Sequence, residues 1–393
     1  MQPDEIHRPP LPVTPAEPDG AEPVPDEPGP FGREAPWWTG YAVATPAGIA
    51  LAVVLWTVAH LVVGDEGLGA DTVGTGPRAF EKVRVLLALG LAYGLLLAAG
   101  CVLLVRQVLR VAAGVARFAG DPAPWGAGWG LAVFVVWFIV PQVVLVVPVG
   151  AKNLDVWTRE HFAEAFYILT AQHVVIVLAA LALTAVVYGA RARDMGLRFA
   201  RSLGGIGFGV LAYAAALPLV MAGTLAARVV SGQPEQQVAD DVARVLKDPG
   251  TTWPAALFLV FVVVVVVPFV EEVVFRVFIQ GGIRATLTRF VSLGTAARRL
   301  LAGELGISGP NGHRSGPAWA AIVTAAALFA VMHILGKQAN VGVFFPLFGL
   351  AVVLGYAYER TRNLAVAWTM HAAFNGWAVL VMLAGSANGG GGV

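Results

Sequence analysis

Charged residues are what this sequence has least of: Asp, Glu, Lys and Arg make up 13% of its 393 residues, against about 25% in a soluble globular domain. With 57% hydrophobic residues, that deficit excludes an ordinary water-soluble fold and points to a chain whose solvent is lipid. The net charge of +1 offers no basic face to nucleic acid. There is one cysteine, Cys101, inside an apolar run, which excludes a disulfide within the chain and a cysteine-based metal site. No H-E-x-x-H and no G-x-S-x-G occurs. The serines near the polar segments, Ser202, Ser292, Ser308 and Ser315, read as loop residues, and Ser386 reads as part of a tail. Residues 1–36 have almost no large apolar side chains and many prolines and acidic groups. They cannot bury enough surface to offset the entropy of ordering, so a disordered tail is expected. The opening MQPDEIHRPPLPVTPAEPDG lacks a basic segment followed by an apolar core, so no signal peptide is expected.

Long apolar windows are abundant. Nine are of a length that spans the hydrocarbon core as helices, at about 41–63, 83–105, 128–150, 169–190, 204–230, 254–281, 317–336, 340–358 and 364–384. The expected fold is an all-α, polytopic transmembrane bundle of about nine spans. Its expected parts are the tail at 1–36, two additional spans in 37–127, a core at 128–385 with the chemistry in the C-terminal half, and a Gly-rich tail at 386–393. Pro141, Pro218, Pro268 and Pro346 are expected to kink four spans. Gly90 and Gly94 form a small-xxx-small pair of the kind used in helix packing. Lys and Arg number about 16 in one set of loops and about 9 in the other, which favours a cytoplasmic N-terminus and an external C-terminus in a plasma-membrane protein.

Against this background the run VVVVVVPFVEEVVFRVF places two glutamates and an arginine in a span. A charge at the bilayer centre costs about 2.5–3.5 kcal/mol on insertion scales, so each needs a partner, water or a function. Glu272 and Arg276 are four residues apart and neutralise each other on one face. Glu271 points about 100° round the helix. It has no sequence-local partner there, and desolvation disfavours its charge, as a general base requires. From this helix alone, a buried ion cluster that ties helices together and a catalytic carboxylate are both open. Two later spans carry FAVMH, with Phe329 and His333 four apart, and HAAFN, with His371 and Asn375 four apart. His60 and His173, alone in their spans, read as packing residues. Convergent Glu271, His333, His371 and Asn375 supply a base, a second group to hold water, and donors for an oxyanion, an inventory that suits peptide hydrolysis. A transporter would bury the same groups with Arg276 as counter-ion, and an inactive peptide-binding scaffold would retain them too.

The ordered trio EEVVFR (271–276), FAVMH (329–333) and HAAFN (371–375) resembles the EExxxR, FxxxH and HxxxN/D motifs of the CPBP intramembrane proteases, also called CAAX proteases and bacteriocin-processing enzymes, or the Abi family. The resemblance covers about 200–385. It implies an endopeptidase acting in the membrane on a peptide or lipidated protein, with membrane lipid as surroundings. It also implies that Glu271 activates water, His333 helps hold it, His371 with Asn375 stabilises the oxyanion, and Glu272 with Arg276 orients the motif. A metal-free mechanism is expected. Zinc held by Glu271, His333 and His371 is the alternative, disfavoured because no carboxylate on the two histidine helices stands ready to hold the other ring nitrogen. Neither the substrate nor the oligomeric state follows from the sequence. Taking each span end as a membrane face sets His333 at one depth and His371 at another, so that the two do not meet.

Overall fold

The computed structural model describes residues 77–112, 122–149, 161–198, 202–231, 242, 245–246, 251–301, 315–335 and 341–386, all within the compact unit 41–393. Among these residues there is no strand. The helices are α1 (Pro77–Ala112), α2 (Ala127–Val149), α3 (Phe162–Tyr188), α4 (Ser202–Tyr213), α5 (Leu217–Ser231), α6 (Trp253–Phe261), α7 (Val267–Glu272), α8 (Gly281–Leu301), α9 (Ser315–Leu335), α10 (Phe344–Thr361) and α11 (Leu364–Ser386). Seven helical stretches among the described residues are long and apolar enough to cross a membrane, or eight if the α4–α5 pair, bent by 43°, is one span. The chain is an integral membrane protein of the expected all-helical class. The expected window at 41–63, His60, the tail at 1–36 and residues 387–393 lie outside the described residues, and Ser386, expected in the tail, ends α11.

The centre of the bundle is one long helix. Trp253–Gly294 is a single apolar stretch of 42 residues. At about 1.5 Å per residue it is about twice the ~30 Å thickness of a hydrocarbon core, so it projects beyond the membrane. The window expected to stop near residue 281 therefore continues as α8, and Ser292 is helical rather than in a loop. Ser202 and Ser315 open α4 and α9, and Ser308 lies outside the described residues. No proline interrupts 281–301, and its apolar residues recur at helical spacing, which a loop reading overlooks.

Two π segments interrupt this helix, Val262–Val266 and Val273–Gln280. The first has a cause in the sequence. Val267 donates its N–H to Val262 O, five residues back. The next carbonyl, Val263, would look to residue 268, which is proline and has no N–H. Pro268 therefore widens the helix, whereas Pro346 sits in the first turn of α10, where no intrahelical N–H is required. Pro218 lies just after the α4–α5 bend, and Pro141 is within the continuous helix α2.

All eight side chains of the second π segment are buried. Such a segment belongs at the middle of a bundle, and it is flanked by α2 and α9. Close approach is achieved through glycines: a Cβ at Gly130 would collide with the Phe278 carbonyl, and one at Gly209 would lie 2.7 Å from Val366 O. Among the described residues nothing packs against Gly90 and Gly94 in this way. A Cβ at either meets nothing within 4 Å among the described residues, and on α1 it is Gly100 that lies against the Ala214 carbonyl. Tyr93 of α1 stacks on Trp377 of α11 at 5.6 Å, so this early span packs on the helix that carries HAAFN.

Candidate active site

α7 is a six-residue α segment between the two π segments, and its last two residues are Glu271 and Glu272. The two carboxylates have different surroundings. Glu272 is fully buried: Arg276 Nε donates to its Oε2 at 2.8 Å, and His371 Nδ1 donates to its Oε1 at 3.0 Å. Glu271 has a side chain 15% exposed, with His333 Nε2 at 3.9 Å from Oε1 and His371 Nε2 at 3.7 Å from Oε2. The pairing of Glu272 with Arg276 is the i, i+4 contact expected, and desolvation of both charges is offset by two charge-assisted hydrogen bonds.

Both histidines are fixed through Nδ1. On α9, His333 donates from Nδ1 to Phe329 O at 2.8 Å, which gives the FxxxH spacing its physical meaning. On α11, the acceptor for His371 is Glu272. Each ring thus turns Nε2 towards Glu271. Phe329 is fully buried and holds the group together: its ring lies 4.5 Å from that of His333, 5.7 Å from that of His371, 5.0 Å from that of Phe275, and beneath the Arg276 guanidinium at 5.9 Å. His173 stacks against Trp137 at 4.9 Å, away from this cluster, in the packing role expected of it.

Two expectations are corrected by this geometry. His333 and His371 do meet. α9 packs along the second π segment and α8 rather than along α6, so it is displaced along the axis and reaches Glu271 at its C-terminal end. Equating helix ends with membrane faces fails because the central helix runs past its neighbours. Secondly, the histidines do not lack acceptors: Glu272, which belongs to the motif itself, serves His371, and a backbone carbonyl serves His333.

Asn375 lies one turn beyond His371 and donates from Nδ2 to Val263 O at 3.0 Å, the carbonyl that Pro268 leaves without a donor. Trp368 Nε1 donates to Val265 O at 2.9 Å in the same π turn. These bonds tie α11 to the central helix beside Glu271.

Four polar residues that the sequence reading passed over continue the network. Gln280 Oε1 accepts from Arg276 Nη1 at 3.4 Å, and Gln280 Nε2 donates to Gly355 O at 3.0 Å and to Glu359 Oε1 at 3.2 Å. Arg284 Nη1 donates to Glu359 Oε2, and Arg362 Nη1 lies 3.6 Å from the same oxygen. Arg362, at φ 46°, forms the turn between α10 and α11. The signal was present: Glu272, Arg276, Gln280 and Arg284 recur every four residues on one helix.

A metal at Glu271, His333 and His371 has the outer hydrogen bonds it would need. The donor separations of 3.7 and 3.9 Å are wider than the roughly 3.4 Å edge of a tetrahedron with 2.0–2.1 Å bonds. Among the described residues no group of three or more His, Cys, Asp or Glu meets metal-site spacing.

No curated protein and no solved structure matches the chain. One family does: residues 253–377, which contain all three motifs, match Type II CAAX prenyl endopeptidase Rce1-like. Over that segment the chain carries the signature of a protease family, consistent with the CPBP, or CAAX-protease, family that its motifs resemble.

Proposed function

We propose that this membrane protein is an endopeptidase that cuts a membrane-associated or lipidated peptide or protein, with Glu271 activating the hydrolytic water. The observation that carries the reading is the convergence of Glu271 with the Nε2 atoms of His333 and His371, each ring pinned from behind. A water among these groups gives one proton to Glu271 while its oxygen attacks the scissile carbonyl carbon. His333 Nε2 accepts a hydrogen bond from the other O–H and so orients the water. The C–N bond then breaks, and Glu271 returns its proton to the leaving amine. With Nδ1–H given to Glu272, His371 donates to the oxyanion only as the imidazolium, with Glu272 as counter-charge. Asn375 has one amide N–H on Val263 O and its second N–H for the oxyanion. Glu272 and Arg276 orient His371.

The test compares cells holding the wild-type protein with cells holding Glu271→Gln, by quantitative membrane proteomics for new termini and with a farnesylated CAAX peptide in vitro. New termini in the wild type alone are expected. Loss of folded protein equal to the loss of cleavage would favour a buried ion cluster, and flux without cleavage would favour a transporter. The N-terminus is assigned to the cytoplasm of a plasma-membrane protein on the Lys and Arg distribution. After removal of Cys101, labelling of Arg298→Cys from outside intact cells would reverse that orientation.

The fixed Nδ1 atoms favour one second reading, in which Glu271, His333 and His371 hold zinc. The ion would then supply a Lewis acid and acidify a bound water. The wide donor spacing favours the metal-free form. Activity that survives prolonged chelation, with less than one zinc per chain by elemental analysis, is expected. Activity lost on chelation and restored by zinc alone would select the second reading.

A further inference from the structure

We infer that Gln280 and Glu359 are positioning residues for hydrolysis. They are the far end of a buried relay that fixes the orientation of His371 and hence the side of the site facing Glu271. The proposal deepens the reading given above and rests on it. The relay is continuous: Glu359 Oε1 holds Gln280 Nε2 (3.2 Å), Gln280 Oε1 holds Arg276 Nη1 (3.4 Å), Arg276 Nε holds Glu272 Oε2 (2.8 Å), and Glu272 Oε1 holds His371 Nδ1 (3.0 Å). His371 then presents Nε2 at 3.7 Å from Glu271 Oε2.

Three observations separate this from general packing. Glu272, Arg276, Gln280 and Glu359 are all fully buried, so no water competes for their bonds and each side chain's orientation is set by its neighbours in the chain. Gln280 is anchored twice on α10, by Gly355 O and by Glu359, and the amide has its oxygen left for Arg276. The site for that amide is shaped by the absence of a side chain. A Cβ on Gly355 would lie 2.6 Å from Gln280 Oε1 and 3.3 Å from Arg276 Nη1. On the other side, Glu359 is held by Arg284 of α8 and by Arg362 of the α10–α11 turn, two residues before α11 begins and nine before His371. The relay therefore closes a loop: the helix that bears Glu271 and the helix that bears His371 are referenced to one carboxylate at their far ends as well as to each other at the site.

Gln280→Leu cuts the relay with a side chain of similar size, and Gly355→Ala displaces the Gln280 amide without replacing a relay side chain. Both are expected to lower kcat about 10–100-fold with KM within about twofold, because the loss is one of alignment rather than substrate contact. Nitrogen NMR of histidine-labelled protein is expected to show His371 as a single Nδ1-protonated ring in the wild type and as a mixture in both variants. Gln280→Leu and Glu359→Gln combined are expected to fall no further than the worse single variant, since both cut one chain. Additive losses in the pair, or unchanged kcat and an unchanged His371 signal in folded Gly355→Ala, would overturn the relay. Should Gln280→Leu fail to fold, Gly355→Ala decides alone. Glu271→Gln run in parallel keeps the two readings distinct: if it is inactive while Gly355→Ala is normal, only the relay fails. If it retains activity, the reading of the site fails and the relay with it.

Discussion

Two regions of the same polar seam differ in how tightly they are built. Around Gln280 and Glu359 the groups are sealed from solvent and joined by hydrogen bonds of 3.0–3.4 Å. Around Glu271, nine residues earlier on the same helix, the two histidine Nε2 atoms stand 3.7 and 3.9 Å away, and the His333 side chain is 31% exposed. The sealed end holds its charges by pairing them, as a low-dielectric interior demands. At the loose end a carboxylate retains acceptor capacity, and the Nε2 atoms of His333 and His371 face it. Adjacent glutamates thus serve opposite ends, as pairs of carboxylates with divergent surroundings do in acid–base sites.

The sharpest way to break the comparison is to exchange the fates of the two glutamates. Glu271→Gln is expected to lower turnover by about 10²–10⁴-fold and leave thermal stability in detergent close to wild type. Glu272→Ala is expected to destabilise the fold by about 3–5 kcal/mol, because the Arg276 guanidinium is left buried without its carboxylate. Thermal unfolding and yield of both proteins check this. Equal destabilisation by the two changes would mean that Glu271 is as structural as Glu272 and that the loose end is not a site.

A smaller effect is expected from the two α11 residues that border the loose end. His371→Ala and Asn375→Ala remove groups assigned to the developing charge, and each is expected to lower kcat by about 2.7–4 kcal/mol of transition-state stabilisation with a lesser change in KM. Both also leave an acceptor without its donor, Glu272 Oε1 in His371→Ala and the Val263 carbonyl in Asn375→Ala, and both are expected to unfold earlier. If either variant changes KM alone, its assignment to the oxyanion is wrong.

The spans, their order and the three motif segments were legible because lipid leaves so few options: apolar length and rare charge identify helices and their functional residues together. The structure brings Glu271, Glu272, Arg276, His333 and His371 together. Depth was not legible. It depends on the axial offset between helices, which glycines and facing side chains set through contacts far apart in sequence, such as Gly130 against Phe278 and Ile322 beside Gly355. The partners of Nδ1 were missed for a related reason. The acceptor for His371 is on another helix, and that for His333 is a backbone carbonyl, which no residue pattern displays. Glu359 was passed over because its hydrogen-bond partners Arg284 and Gln280 lie 75 and 79 residues away.

The smallest effect expected is at Trp368, and it tests why the site lies beside a π turn at all. Pro268 leaves the Val263 carbonyl without an N–H from the helix, and α11 places two donors on the turn at Val262–Val266, the Asn375 amide on Val263 O and the Trp368 indole on Val265 O. Trp368→Phe removes only the second donor, because a phenyl ring keeps the edge contact that the indole makes with Phe269 at 5.6 Å. One neutral hydrogen bond is worth about 0.5–1.5 kcal/mol, so the variant is expected to melt a few degrees earlier and to lose less than tenfold in turnover. Combined with Asn375→Ala, the stability losses are expected to exceed their sum, since a π turn with one cap retains its register against α11 and a turn with neither is free to slip. Strict additivity in thermal unfolding would show that the two caps act independently and that the alignment of Glu271 with His371 does not depend on the turn.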